Sequence, residues 1–204
     1  MRAFIAIELP LKIKDAISKI QVKLKTTLPK ISWVKPINLH LTLKFLGEIP
    51  SKKLDDINQI ISEITQPTTG FGIKLETIGV FPNTAEARII WIGTEEVPET
   101  LKQIIGQLET KLGEYGIAKE KRPFRAHITL GRLRNHIMPS ELENSIGNIK
   151  ADMVHENLEF VTRGITLFQS TLKPEGYCVA SNSQSHKPSG PAYRVLKKAN
   201  FKIT

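Results

Sequence analysis

The chain has 204 residues, of which 40% are hydrophobic and 24% charged, a globular composition with length for one large domain or two small lobes. A single cysteine, Cys178, excludes an internal disulfide and a thiolate zinc cluster. No apolar run reaches the roughly eighteen residues of a membrane span, and Met1–Pro10 lacks the features of a signal peptide, so a cytoplasmic protein with no membrane partner is expected.

Arg2–Glu8 reads as a strand around Phe4, Ile5 and Ile7. Pro10, at a position a first helical turn tolerates, opens a helix with Leu11, Ile13, Ile17, Ile20 and Leu24 at helical spacings. Trp33-Val34 leads through Pro36 into a strand carrying His40-Leu41-Thr42-Leu43, stopped by Gly47 and Pro50. Ser51 is placed to cap a second helix with Leu54, Ile57, Ile60, Ile61 and Ile64. Phe71–Val80 and Ala87–Ile92 are predicted strands around the turn Phe81-Pro82-Asn83.

The second half repeats this grammar. A helix is predicted over about Pro98–Tyr115, and Arg122-Pro123 breaks the chain before the strand Phe124–Leu133, which carries His127-Ile128-Thr129-Leu130. A fourth helix follows at Pro139–Ile149, then strands at Val154–Phe160 and Gly164–Leu172. Tyr177–Gly190, with four serines and little to bury, reads as a surface loop, an insertion at about 177–190. The expected fold is α+β: a single domain over 1–204, built as a bilobal pseudo-twofold duplicated unit. Two mostly antiparallel sheets face a central cleft, with helices on the outside.

Random order of five His and sixteen Thr in this chain gives about 0.4 His-x-Thr triplets. Two copies, each with an aliphatic residue between and Leu after, point to a shared site. Side chains alternate along a strand, so His40 and Thr42 share one face while Leu41 and Leu43 share the other, and His127 and Thr129 do the same. A pair of histidines supplies one base and one acid near neutrality, and two threonine hydroxyls can hold phosphoryl oxygens. Together they suit in-line phosphoryl transfer without metal, cofactor or covalent intermediate. Two histidines are too few for a catalytic zinc, and no serine-hydrolase elbow, Walker loop or dinucleotide fingerprint occurs. His136, His155 and His186 lie outside the repeat and read as surface or capping residues.

The flanks make the pattern specific. They are Arg2-Ala3-Phe4-Ile5-Ala6-Ile7, the block Trp33–Gly47, Gly79-Val80-Phe81-Pro82-Asn83, and Arg122-Pro123-Phe124-Arg125-Ala126-His127-Ile128-Thr129-Leu130-Gly131-Arg132. With these the chain resembles the two-histidine phosphoesterase superfamily, and within it the RNA 2′,3′-cyclic phosphodiesterase family, also called 2′-5′ RNA ligases. The resemblance implies a bilobal fold with both motif strands in one cleft, His40 as proton donor, His127 as proton acceptor, and Thr42 and Thr129 on the phosphate. It also implies a role near the cleft for Arg132. Simple alternation puts Arg132 on the face opposite His127, so a twist or bulge at Gly131 is required. Two departures stand out. Ala126 replaces a frequent proline, and the 177–190 run separates Pro174-Glu175-Gly176 from Pro191–Leu196.

The expected activity is metal-independent hydrolysis of RNA terminal 2′,3′-cyclic phosphate to 2′-phosphate by a monomer without cofactors. Its substrates are RNA ends or small cyclic-phosphate nucleotides. ATP-independent 2′-5′ RNA joining at the same site and a non-catalytic RNA- or nucleotide-binding module are the alternatives. A net charge of +9 and a pI near 9.6 favour a polyanion, though the lysines are dispersed. Lys44, Lys119, Lys121, Arg125 and Arg132 are candidates for the cleft rim. Phe4, Trp33, Phe71, Trp91 and Phe160 are assigned to the core, which leaves few stacking platforms and predicts weak base specificity.

Overall fold

The structure, a computed structural model, describes residues 1–153, 156–171 and 191–202. Ten strands and four α-helices alternate along these residues. The first half contains β1 (Arg2–Glu8), α1 (Leu11–Thr27), β2 (Ile31–Trp33), β3 (His40–Glu48), α2 (Leu54–Thr65), β4 (Phe71–Lys74) and β5 (Thr77–Phe81). The second contains β6 (Ile89–Gly93), α3 (Glu99–Glu114), β7 (His127–Leu133), α4 (Pro139–Met153), β8 (Glu159–Thr162), β9 (Gly164–Thr171) and β10 (Ala192–Asn200). The predicted insertion at 177–190, Pro174-Glu175-Gly176, Cys178, His155 and His186 lie outside the described residues.

Two four-stranded antiparallel sheets form, in the orders β10-β9-β1-β3 and β2-β7-β6-β5. The halves of the chain do not coincide with the sheets. β5 closes the first half but pairs with β6 of the second, and β9 of the second half pairs with β1 of the first. β4 and β8, the strands that precede these crossings, pair with each other. The single strand expected over Phe71–Val80 is therefore two. At Leu75 and Glu76 the backbone turns from bonding Leu158 to bonding Gly93, so β4 and β5 belong to different sheets.

The helices are shared out in the same way. α2 and α3 pack on each other, with α3 against β3 and α2 against β9 and β10. α1 and α4 form the other pair, and α4 lies against β5. On α1 the predicted Ile13, Ile17, Ile20 and Leu24 are buried, whereas Leu11 at the first turn is exposed; on α3 the buried residues are Leu101, Ile104, Leu108 and Leu112. With Ile57, Ile60, Ile61 and Ile64 of α2 they join one continuous aliphatic core beneath both sheets. Burying each such side chain contributes about 1.5–3 kcal/mol. Two local readings differ. Ser51 does not cap α2, because a 3-10 turn over Ser51–Lys53 intervenes, and Asp55 and Asp56 face the helix dipole instead. α4 extends to Met153 and β8 starts only at Glu159, later than the predicted strand. No helix among the described residues is long and apolar enough to cross a membrane.

Candidate active site

β3 and β7 bring the two motifs to one cleft of about 460 Å³, lined by His40, Thr42, His127 and Thr129 together. Leu41, Leu43, Ile128 and Leu130 sit in the core behind them, so the alternation predicted for each strand holds. The two imidazoles are fixed in the same way. Nδ1 of His40 lies 2.7 Å from the carbonyl of Asn38, and Nδ1 of His127 lies 2.7 Å from the carbonyl of Arg125. A carbonyl only accepts, so each ring carries its proton on Nδ1 and leaves Nε2 with a lone pair for the cleft.

Arg132 lines the same cleft, and a bulge brings it there. Trp91 pairs with Thr129 but its neighbour Ile90 pairs with Gly131, so Leu130 has no partner on β6. Leu130 and Gly131 are buried in succession, the alternation slips by one, and Arg132 faces the side of His127 and Thr129. Two features hold the bulge. A side chain at Gly131 would meet Ile31 at 2.6 Å and Trp33 at 3.0 Å, so only glycine passes beneath β2. The carbonyl of Leu130 accepts hydrogen bonds at 2.9 Å from the backbone of Val34 and from Nε2 of the buried Gln21 on α1.

β3 contains the same irregularity. Ala6 pairs with Thr42 and Ile5 with Lys44, which leaves Leu43 unpaired. Leu43 and Lys44 are buried in succession, and Phe45, 57% exposed, emerges on the cleft face. Sequence reasoning missed Phe45. Its signal was the offset it shares with Arg132, the fifth residue after the motif histidine.

Lys44 is corrected from rim cation to buried residue. Only 2% exposed, its ammonium binds both carboxylate oxygens of Glu109 at 2.7 and 2.8 Å and the carbonyl of Ala118 at 2.7 Å. Lys119 and Lys121 are exposed but line neither this cleft nor the groove beside it, while Arg125 lines that groove. His136 is exposed and lies away from the cleft lining.

The aromatic assignments gain a second side. Phe4 lies against His40 with ring centroids 4.9 Å apart, Phe168 stacks on Phe4 at 5.1 Å, and Tyr193 meets His40 edge-on at 5.3 Å. Around His127, Phe81 stands edge-on at 5.0 Å, with Trp91 at 6.3 Å. Trp33 lines the cleft as well. Phe4, Trp33, Phe71 and Phe160 pack with apolar clusters as expected, yet Phe4 and Trp33 also line the cleft and Trp91 stands beside His127. Both sheets have a second, cleft-side face that alternation alone cannot tell from the core side.

Among the described residues the cleft lining carries Arg2, Lys35 and Arg132 and no carboxylate, so its field favours an anion. Burial pushes the pKa of both histidines below the ordinary histidine value. The Asn38 and Arg125 carbonyls oppose that effect, and Arg132 adds to it at both rings. His40 is depressed further by Lys14 and by His127 itself. Both shifts favour the neutral ring over the imidazolium. Among the described residues no three His, Cys, Asp or Glu side chains converge as a metal cluster would.

The profile of the LigT-like phosphoesterase family matches the chain twice, at residues 7–91 and at 92–179, once in each half. A relative from Methanocaldococcus jannaschii, named RNA 2′,3′-cyclic phosphodiesterase, is 36% identical over 198 residues, covering 97% of this chain and 99% of its own. A Methanothermobacter thermautotrophicus protein of the same name is 31% identical, covering 86% of this chain and 93% of its own. Among solved structures, a Thermus thermophilus protein superposes with a TM-score of 0.75 at 26% identity, covering 98% of each chain. Escherichia coli LigT complexed with 3′-AMP gives 0.73 at 26% identity, covering 99% of this chain and 98% of that one. By its doubled sequence match and its fold alike, the chain belongs to the LigT-like phosphoesterase family.

Proposed function

We propose that the protein is an RNA 2′,3′-cyclic phosphodiesterase that opens terminal 2′,3′-cyclic phosphates to 2′-phosphates without a metal. His127 accepts the proton of the attacking water, and the phosphorus–O3′ bond breaks in line as His40, protonated at Nε2, gives its proton to O3′. The product carries a 2′-phosphate and a 3′-hydroxyl, and exchange with solvent returns the histidines to their starting states. Thr42, Thr129 and Arg132 hold the non-bridging oxygens as charge builds on them.

One observation carries this reading: two imidazoles with the same Nδ1–carbonyl lock line a single cationic cleft that has no carboxylate among the described residues. Such a pair can trade a proton across a phosphorus atom and has no charge to offer a cation. The names of the relatives support the substrate class. The cyclic phosphate is also the missing half of the electrostatics, because its negative charge favours protonation of an imidazole that burial and Arg132 keep neutral. The choice of His40 as acid follows the resemblance, since the two rings are held alike.

Turnover of an oligonucleotide ending in 2′,3′-cyclic phosphate, in EDTA, with 2′-phosphate identified as the product, tests the proposal. Activity that vanishes with the chelator and returns with zinc, or full activity in a His40→Ala/His127→Ala double variant, would end it.

A further inference from the structure

The cleft does not end at Thr42 and Phe45. Both side chains also line a second groove of about 250 Å³, which runs from the cleft toward α3 and the segment entering β7. Arg122 and Arg125 border it, and both are exposed. Neither pairs with a carboxylate among the described residues. The groove also contains Lys44 and Glu109, which neutralise each other. That leaves two guanidinium groups against one further carboxylate, Glu120.

The wall that presents them is fixed from inside. Glu109, while holding the Lys44 ammonium, also accepts the backbone N–H of Glu120 at 3.1 Å, and Lys44 donates to the carbonyl of Ala118. β3, α3 and the segment leading to Arg122 are thereby tied at one buried point. Guanidinium groups match the paired oxygens of a phosphate.

We infer that this groove receives the phosphodiester joining the terminal nucleotide to the rest of an RNA chain. The inference rests on the proposed reading of the cleft. With the cyclic phosphate between the histidines, the next phosphate toward the 5′ end lies one nucleotide away, and the groove opens directly past Thr42. The charge complementarity is that of a phosphodiester. The preferred substrate is thus an RNA 3′ end rather than a mononucleotide.

The test compares kcat/KM for a nucleoside 2′,3′-cyclic phosphate with that for the dinucleotide ending in the same group, at low salt. Dissociation constants for the two 2′-phosphate products are measured alongside. The dinucleotide should be preferred by about tenfold or more, as one charge-assisted contact provides. Arg122→Glu should bring the ratio close to one, and Arg122→Lys should keep part of it. A ratio near one in the unaltered protein, or a preference that survives Arg122→Glu, overturns the inference. If neither substrate turns over, the catalytic reading fails, and the product-binding ratio and its loss in Arg122→Glu decide the groove separately.

Discussion

Phe45 and Arg132 stand at the same place in the two repeats. Each is the fifth residue after its motif histidine, and each is turned into the cleft by a bulge at the residue following the motif threonine. One half thus offers an aromatic face where the other offers a guanidinium. A cleft built from two like strands presents two chemically different walls, which suits the base and the phosphate of the proposed substrate.

The proposed acid and base are separable by leaving group. His40→Ala and His127→Ala should each lower kcat by about 10²–10⁴ while the circular dichroism spectrum stays unchanged. A cyclic substrate with sulfur in place of O3′ has a leaving group that needs no protonation. It should restore turnover to His40→Ala and not to His127→Ala. Rescue of the other variant would reverse the assignment.

The depressed histidines set the pH response. The base must be neutral, so activity is lost as pH falls through its pKa, and the acid must be protonated, so activity is lost as pH rises through the other. Both free-protein values lie low because of burial, with Arg132 contributing. The bell in kcat/KM, which reports the free protein, should therefore peak on the acid side of the ordinary histidine value. In kcat the bound phosphate raises both and the bell moves to higher pH. The limbs belong to the coupled pair. Coincident profiles would contradict this electrostatic account.

Arg132→Gln should act in two ways at once. Loss of a charged ligand to the phosphate should lower kcat by about 10²–10³. Removal of the cation that depresses both rings should also shift their titrations upward in NMR. A drop in rate with unmoved histidine titrations would mean that Arg132 does not face the rings.

The bulge beneath Arg132 can be tested remotely. Gln21→Leu removes the amide that bonds the carbonyls of Leu130 and Val34, and leaving the buried acceptors short costs about 1–3 kcal/mol. Gly131→Ala forces contact with Ile31 and Trp33 at a similar cost, about 1–3 kcal/mol. Both variants should melt earlier and lose kcat as Arg132→Gln does. In each, adding Arg132→Gln should cost little more, whereas additive losses would separate the bulge from Arg132.

The cleft aromatics revise what the substrate experiences. Stacking tolerates any base, so weak base preference is still expected, now with affinity drawn from rings as well as phosphates. Phe45→Ala should weaken product binding by about 1–3 kcal/mol to a similar degree for all four terminal bases, and leave the salt slope intact. A loss confined to one base would reveal a dedicated pocket.

What could be read in advance depended on how local the cause was. The helix faces and the His-x-Thr alternation follow from spacing within one element, and those readings hold. The bulge at Leu130 does not, because it depends on Gln21, 109 residues away, and on the register of β6. Lys44 looked like a surface cation because its partner Glu109 lies 65 residues distant. The division of Phe71–Val80 between two sheets was hidden because periodicity records alternating faces, not the identity of the neighbouring strand.

The exchange of β5 and β9 means that the two repeats are not separable modules. If the backbone were opened between β5 and β6, each piece would lack two strands of its four-stranded sheet, held by the other. Neither could complete its own sheet, and mixed together they would be obligate complements. Two copies of a single-repeat chain could lend each other strands in the same way, and joining them end to end would turn that loan into an internal one at high effective concentration. The distance between the histidines is therefore held by chain that crosses from each lobe into the other. A change that loosens β5, although it belongs to the first half, would be felt at His127 in the second.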